Sequence, residues 1–475
     1  MTTETIPLFS SKSYKGRSVH ASAVRLVNMF ASPTNDRGAI LGYPTPGKTL
    51  FTSFGASPTR GMHVSKAFPT RLFAVNKGTL WELDNAGTKV SRGTINTISG
   101  RVSMADNGFQ LMVVDGSQGF ILNMSTNVFM QITDEGFPTC RHVDFLDGYF
   151  IVAKTGTGQF NLSALLDGLS WNGLDFATAE SSPDVLLRPH AQGGYLLLYS
   201  TEGLEVWTNT GALGFPFSRV SGATQDWGLA AEDSLAKVGD TAICLGRSAL
   251  LERTLIVSGP NGIRDVVSNP DVEHEWQGYP PSADATAIAY RNQGQMFYQI
   301  NFPGANKSWL YNLSGDTWSE VNYRGVGRDR AEISEAFLDQ MIVSDYENGN
   351  LYVLDALSYS DNGDFISRKI VSRHIYDEGF NRIKVHRLRL DLEAGVGLSN
   401  GHGSDPYVGL RVSKDGGHSF GNQTSRPFGK IGEFSKRPHW SRLGGGKDFC
   451  LDFEMTVPVP FKVNGATALV SAEGN

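Results

Sequence analysis

The chain has 475 residues, 40% hydrophobic and 19% charged, enough to bury a large core and too apolar for a disordered tail. A net charge of −6 lacks the basic excess of a surface that grips phosphate backbones. That argues against dedicated nucleic-acid binding, but not against a wall past which DNA slides.

The N-terminal stretch MTTETIPLFSSKSYKGR has no apolar segment of the kind a secretory signal needs. Residues 1–55 carry Pro33, Pro44 and Pro46 among several glycines, and read as an extended N-terminal arm or an incomplete strand set. From residue 56 to 365 the apolar runs are short and end in Gly, Asn, Asp or Pro, the chemistry of strands and tight turns. Paired strands are predicted near 71–84, 110–124, 149–162, 195–208, 241–256, 295–313 and 340–355. Their starts recur roughly every 40 to 50 residues, the period of propeller blades.

Two internal similarities support a repeat. Gly78-Thr79-Leu80-Trp81-Glu82-Leu83-Asp84 matches Gly349-Asn350-Leu351-Tyr352-Val353-Leu354-Asp355, and residues 121–129 match 310–318 in chemical type. Such a unit has two apolar faces and cannot bury both alone, whereas blades packed around an axis cover both. The expected fold is all-β: a β-propeller of six or seven blades, with a β-sandwich assembly as the competing architecture. Residues 366–475 change pattern, with basic alternating strands near 382–392 and 407–412, and are read as a C-terminal antiparallel β-sandwich. The apolar run 195–199 is far too short to span a bilayer, so no membrane insertion is expected.

Few constellations carry chemistry. Cys140, Cys244 and Cys450 are odd in number and far apart, forming neither a disulfide framework nor a CxxC metal pair, which suits a reducing cytoplasm. Ser413, Asp415, Gly417 and Phe420 fit the S-x-D-x-G-x-x-F hairpin, in which the Asp accepts turn N–H groups and the aromatic packs beneath. Sialidases contain such hairpins, so a glycan-cleaving propeller is one alternative, although the hairpin is a folding element remote from catalysis. A carbohydrate-binding module using Trp171, Trp227 or Trp276 is another. Asp271, Glu273, His274 and Glu275 read as a solvated loop. The phosphate-loop spacing Gly42 to Thr49 contains Pro44 and Pro46, which have no N–H to offer a phosphate. The Gly397-Leu398-Ser399-Asn400-Gly401 spacing runs on into loop formers, where a nucleophile elbow needs a helix. No catalytic residue, cofactor or metal ligand is predicted.

Several segments carry a family resemblance. Val27-Asn28-Met29-Phe30-Ala31-Ser32-Pro33 is followed by the steps Pro46-Gly47 and Arg60-Gly61. Ser99-Gly100-Arg101-Val102-Ser103-Met104-Ala105 is the most specific match, and Glu205 to Ala212 and Trp440-Ser441-Arg442-Leu443-Gly444 complete the set. In order and spacing these resemble the tail hub, or nozzle, protein of short-tailed bacteriophages, also called the packaged-DNA stabilization protein. The stretch from Gly395 to Asp405 departs from that pattern. The resemblance implies a homohexameric ring assembled in the host cytoplasm and carried in the virion below the portal–adaptor complex. It also implies tail spikes or fibres and a needle or plug as partners, and a role in retaining and then releasing genomic DNA without sequence-specific binding.

Overall fold

A computed structural model describes residues 2–6, 8, 16–19, 22–33, 40–180, 184–248, 252–259, 262–379 and 381–472. Among these residues, seven antiparallel units repeat with their first strands side by side around an axis. Blade one is Thr59–Val64, Leu72–Asn76, Thr79–Leu83 and Lys89–Thr94; blades two to four, starting at Ser103–Asp106, Cys140–Leu146 and Leu186–Gln192, are likewise four-stranded. Blade five is built on Thr241–Arg247, and blade six runs from Thr286–Asn292 to Thr317–Val321. The fold is a β-propeller followed by a β-sandwich. The second and third strands of each blade are the most apolar, because neighbouring blades cover both their faces; Leu72–Asn76 and Gln110–Val114 are almost wholly buried.

Blade seven closes the ring by a non-local pairing. Its strands Ala331–Phe337, Gln340–Asp345 and Asn350–Asp355 are completed by Gly47–Ser53, more than 270 residues earlier, in antiparallel register. The described part of 1–55 is thus a set of strands rather than a free arm. Arg25–Val27 pairs on one side with the last strand of blade six and on the other with Arg368–Val371. Blade six therefore continues through Arg25–Val27 into Asp448–Met455, Tyr407–Ser413 and Thr424–Pro427, as one ten-stranded sheet. The opposing sheet pairs Met29–Pro33, Ile40–Pro44, Val463–Ala472, Ile383–Leu392 and His439–Gly446, with Thr2–Ile6 also on Val463–Ala472. Between the two sheets lies an apolar core including Leu26, Met29, Leu388, Trp440, Phe453 and Val463.

The acidic stretch 271–275 corrects one expectation. It is the first part of a helix, Pro270–Gln277, not a loop. Asn269 caps it by accepting from the N–H groups of Asp271 and Val272, Pro270 takes the first position, and Val272 and Trp276, four apart, bury in the core shared by blades five and six. No helix among the described residues is long and apolar enough to cross a membrane.

Candidate functional surfaces

The first strands of the blades line an axial channel of about 530 Å³. That is the size of a small-molecule pocket. Three histidines face carboxylates along it: His63 Nε2 lies 2.7 Å from Asp106, His142 Nε2 3.1 Å from Glu232, and His190 Nδ1 3.4 Å from Asp144. Burial opposes the charged carboxylates, but the hydrogen bond from His63, with two backbone N–H groups, holds Asp106 below the usual range. Burial pushes the His142 imidazole down despite Glu232. None of these histidines stood out in the sequence, because only ring closure brings single residues from different blades to one axis.

The segment 99–105 frames this channel. Arg60 donates to the carbonyls of Lys77, Thr97, Ser99 and Gly100 and to the Thr97 hydroxyl, so one guanidinium holds the whole turn. Gly61 allows the strand to approach: a Cβ there would stand 2.3 Å from the Val102 carbonyl oxygen. Arg101 pairs with Asp233 at 3.4 Å, and Ser103 hydrogen-bonds across to Val143 of blade three, while Val102 and Ala105 are buried and Met104 packs beside them.

Glu335 lies on the same channel, and burial pushes its carboxyl up to about 7, with His63, the Val64 N–H and Lys66 pulling the other way. The folded chain then binds one more proton than the unfolded chain between about pH 4.5 and 7, so this group's contribution to stability falls as pH rises through that window. Glu335→Gln removes the effect. Its unfolding free energy relative to the parent, from urea titrations, is expected to be more favourable at pH 8 than at pH 5 by on the order of 1 kcal/mol.

Asn28 joins propeller and sandwich. It sits at φ 53°, in the left-handed region that asparagine tolerates, and is buried. Its amide donates to Asn322 Oδ1 at 2.9 Å and to the Ser367 carbonyl at 2.8 Å, and its Oδ1 accepts from the Asn322 N–H at 2.9 Å. The Thr45 N–H and hydroxyl both donate to its carbonyl. Val27 and Met29 beside it are buried, Met29 in the sandwich core, and Pro33 ends the Met29–Pro33 strand. Asn28→Ala is expected to cost about 2–3 kcal/mol, roughly 1 for each of its three side-chain hydrogen bonds, in a urea titration.

In the sandwich, Arg442 (φ 59°) and Leu443 bulge opposite His386, Gly444 (φ 88°) resumes the pairing at Val385, and Trp440 is buried beside them. Ser413 and Asp415 close their hairpin: Gly417 donates to the Ser413 hydroxyl at 2.8 Å and the Ser419 N–H to Asp415 at 3.0 Å. Hydrogen bonds from Ser413 and Ser419 hold the Asp415 carboxyl well below the usual range. Phe420 packs beneath with Val19, Ala23, Val371 and Cys450. Trp171 and Trp276, weighed as sugar platforms, are buried in the core, and Trp227 is half-buried. The glycines and lysine of 42–49 lie on two strands.

Residues 4–359 match a family model described as bacteriophage P22 Gp10, beta-propeller, and residues 367–471 match its beta-sandwich counterpart. The chain belongs to the bacteriophage P22 Gp10 family. That family is the tail hub of short-tailed phages, so the chain is a structural tail protein of a phage and a virion component. No curated protein matches the chain by sequence. Among solved structures it is similar to YCF48 bound to D1 peptide, at 14% identity and TM-score 0.40, covering 68% of this chain and 99% of that one. It is also similar to the WD40 β-propeller domain of Doa1, at 11% identity and TM-score 0.41, covering 64% and 97%.

Proposed function

We propose that this hub-family chain acts as the nozzle of the tail: a homohexameric ring below the portal–adaptor complex that retains packaged DNA and lets it leave. It has no catalytic role. It holds spikes or fibres at its side and a needle or plug at its end, and it assembles in the host cytoplasm.

The observation that carries this reading is the ten-stranded sheet that runs from blade six into the sandwich. Backbone hydrogen bonds, not a flexible linker, join the two domains, which suits a wall that must bear pressure without hinging. Exposed apolar side chains at loop tips, among them Phe109, Leu165 and Leu166, offer contact surface, and Asn107 donates to the Leu166 carbonyl. In this reading DNA passes along the ring axis between subunits, not through the propeller's own axial channel. Six chains of net charge −6 carry −36, and a negative lumen would keep DNA from sticking.

Imaging the purified chain mixed with its portal–adaptor complex tests the proposal. A six-fold ring docked below the portal is expected, and a monomer that ignores the portal overturns it. A strongly basic lumen in that ring would refute the low-friction wall.

A further inference from the structure

The propeller–sandwich junction carries a cluster with no part in the function above. Ile375–Tyr376 pairs with Phe449 and Asp448, which sets His374 beside Cys450. Asp448 and Cys450 are two apart on one strand and so face the same way. His374 Nδ1 is 2.7 Å from Asp448 Oδ2 and 3.7 Å from Cys450 Sγ, and the three donor atoms lie within 4.8 Å of one another.

We propose that His374, Asp448 and Cys450 form a divalent-cation site, and that Zn²⁺ is the ion their nitrogen, oxygen and sulfur donors fit. The first reason is the second ring nitrogen. His374 Nε2 is 2.8 Å from the Val19 carbonyl, which can only accept, so Nε2 carries the proton. In the neutral ring the Nδ1 lone pair then faces a carboxylate, and two acceptors at that separation need a cation between or beside them. A proton would satisfy the pair. A proton leaves one feature unexplained, however: Asp448 Oδ1 is buried without a hydrogen-bond partner among the described residues, while the Cys450 sulfur faces the same point at 3.7 Å from Nδ1.

Tetrahedral zinc at ordinary bond lengths spaces its ligands roughly 3.3 to 3.6 Å apart. The His374–Cys450 separation of 3.7 Å is just above this range, and the His374–Asp448 pair, at 2.7 Å, has to widen by about 0.6 Å or more once its proton leaves. Asp448 is partly exposed, giving an entry path and a fourth, water-filled position. Gly417 helps to leave the space, since a Cβ there would stand 3.5 Å from Cys450 Sγ and 2.9 Å from Ala23 Cβ. A bound ion would tie residue 19, the strand entering the sandwich and the Ser413–Asp415 hairpin to one point.

The test uses the full chain, equilibrated with Zn²⁺, dialysed and measured by elemental analysis, with Co²⁺ as a spectroscopic probe. About one Zn²⁺ per chain is expected, with a rise in melting temperature. Co²⁺ should give a thiolate charge-transfer band in the near ultraviolet. Cys450→Ser should abolish that band, and Asp448→Asn should weaken metal retention by about 10-fold or more. Less than ~0.1 metal ion per parent chain overturns the proposal in favour of a protonated hydrogen-bonded triad. So does Cys450→Ser retaining metal at the parent level. The parent measurement stands whether or not a variant folds.

Discussion

Replacing Lys48 by alanine is expected to destabilise the chain by about 3–5 kcal/mol, because it strands two buried carboxylates. Lys48 lies on the strand that closes blade seven, and its side chain is 7% exposed. Its Nζ is 2.7 Å from Asp329 and 3.3 Å from Asp361, both buried. Burial alone would push the ammonium down, but the two carboxylates prevail and raise it above the usual lysine range. Burial likewise opposes the charge on Asp329, and Lys48 prevails there, holding it below its usual value. For Asp361 burial prevails over Lys48 and the carboxyl is raised.

The signs give the pH dependence. A lysine raised in the folded state stabilises fully below its unfolded value of about 10.4, and that contribution is lost as pH climbs through the folded value. Asp329, depressed, contributes above about pH 4, and loses its contribution as pH falls further. In Lys48→Ala the orphaned carboxylates can neutralise by taking up protons, so the deficit should be largest near pH 8 and shrink toward pH 5. Urea unfolding followed by circular dichroism at both pH values measures this. A variant within about 1 kcal/mol of the parent at pH 8 would show that the pair is screened and that blade closure does not depend on it.

Trp440→Ala is the second large effect, expected to cost about 3–5 kcal/mol. Trp440 is 1% exposed at the centre of the sandwich core, its ring centroid 5.7 Å from that of Phe453, and its indole N–H donates to the Thr424 carbonyl at 3.0 Å. The deletion leaves a cavity and an unpaired carbonyl together. Trp440→Phe keeps most of the volume and should cost roughly half as much. Because the sandwich shares a sheet with blade six, the alanine variant should also lose propeller signal at a lower denaturant concentration. A propeller transition unmoved by Trp440→Ala would mean that the shared sheet does not couple the two domains.

The local grammar was legible. Glycine-punctuated apolar runs gave short strands, and the matched segments 78–84 and 349–355 are the third strands of blades one and seven, with their preceding turns. The helix after Asn269 could also have been read, since Asn-Pro-Asp before Val272 and Trp276 is a capping signature; a strand-and-turn reading of the surroundings hid it. The family-like residues were visible as letters, but their roles were not. Gly61 matters because Val102 lies against it, and Asn28 because Asn322 and Ser367 do.

By itself, the sequence determined the β class and a propeller repeat followed by a sandwich, because strand length, turn chemistry and apolar alternation are properties of neighbouring residues. Only the tertiary structure decided that residues 47–53 close blade seven, that Arg25–Val27 joins blade six to the sandwich, and that His374 meets Asp448 and Cys450. Those pairings join residues 74 to more than 300 positions apart. They depend on ring closure and strand register, which no local pattern of side chains encodes.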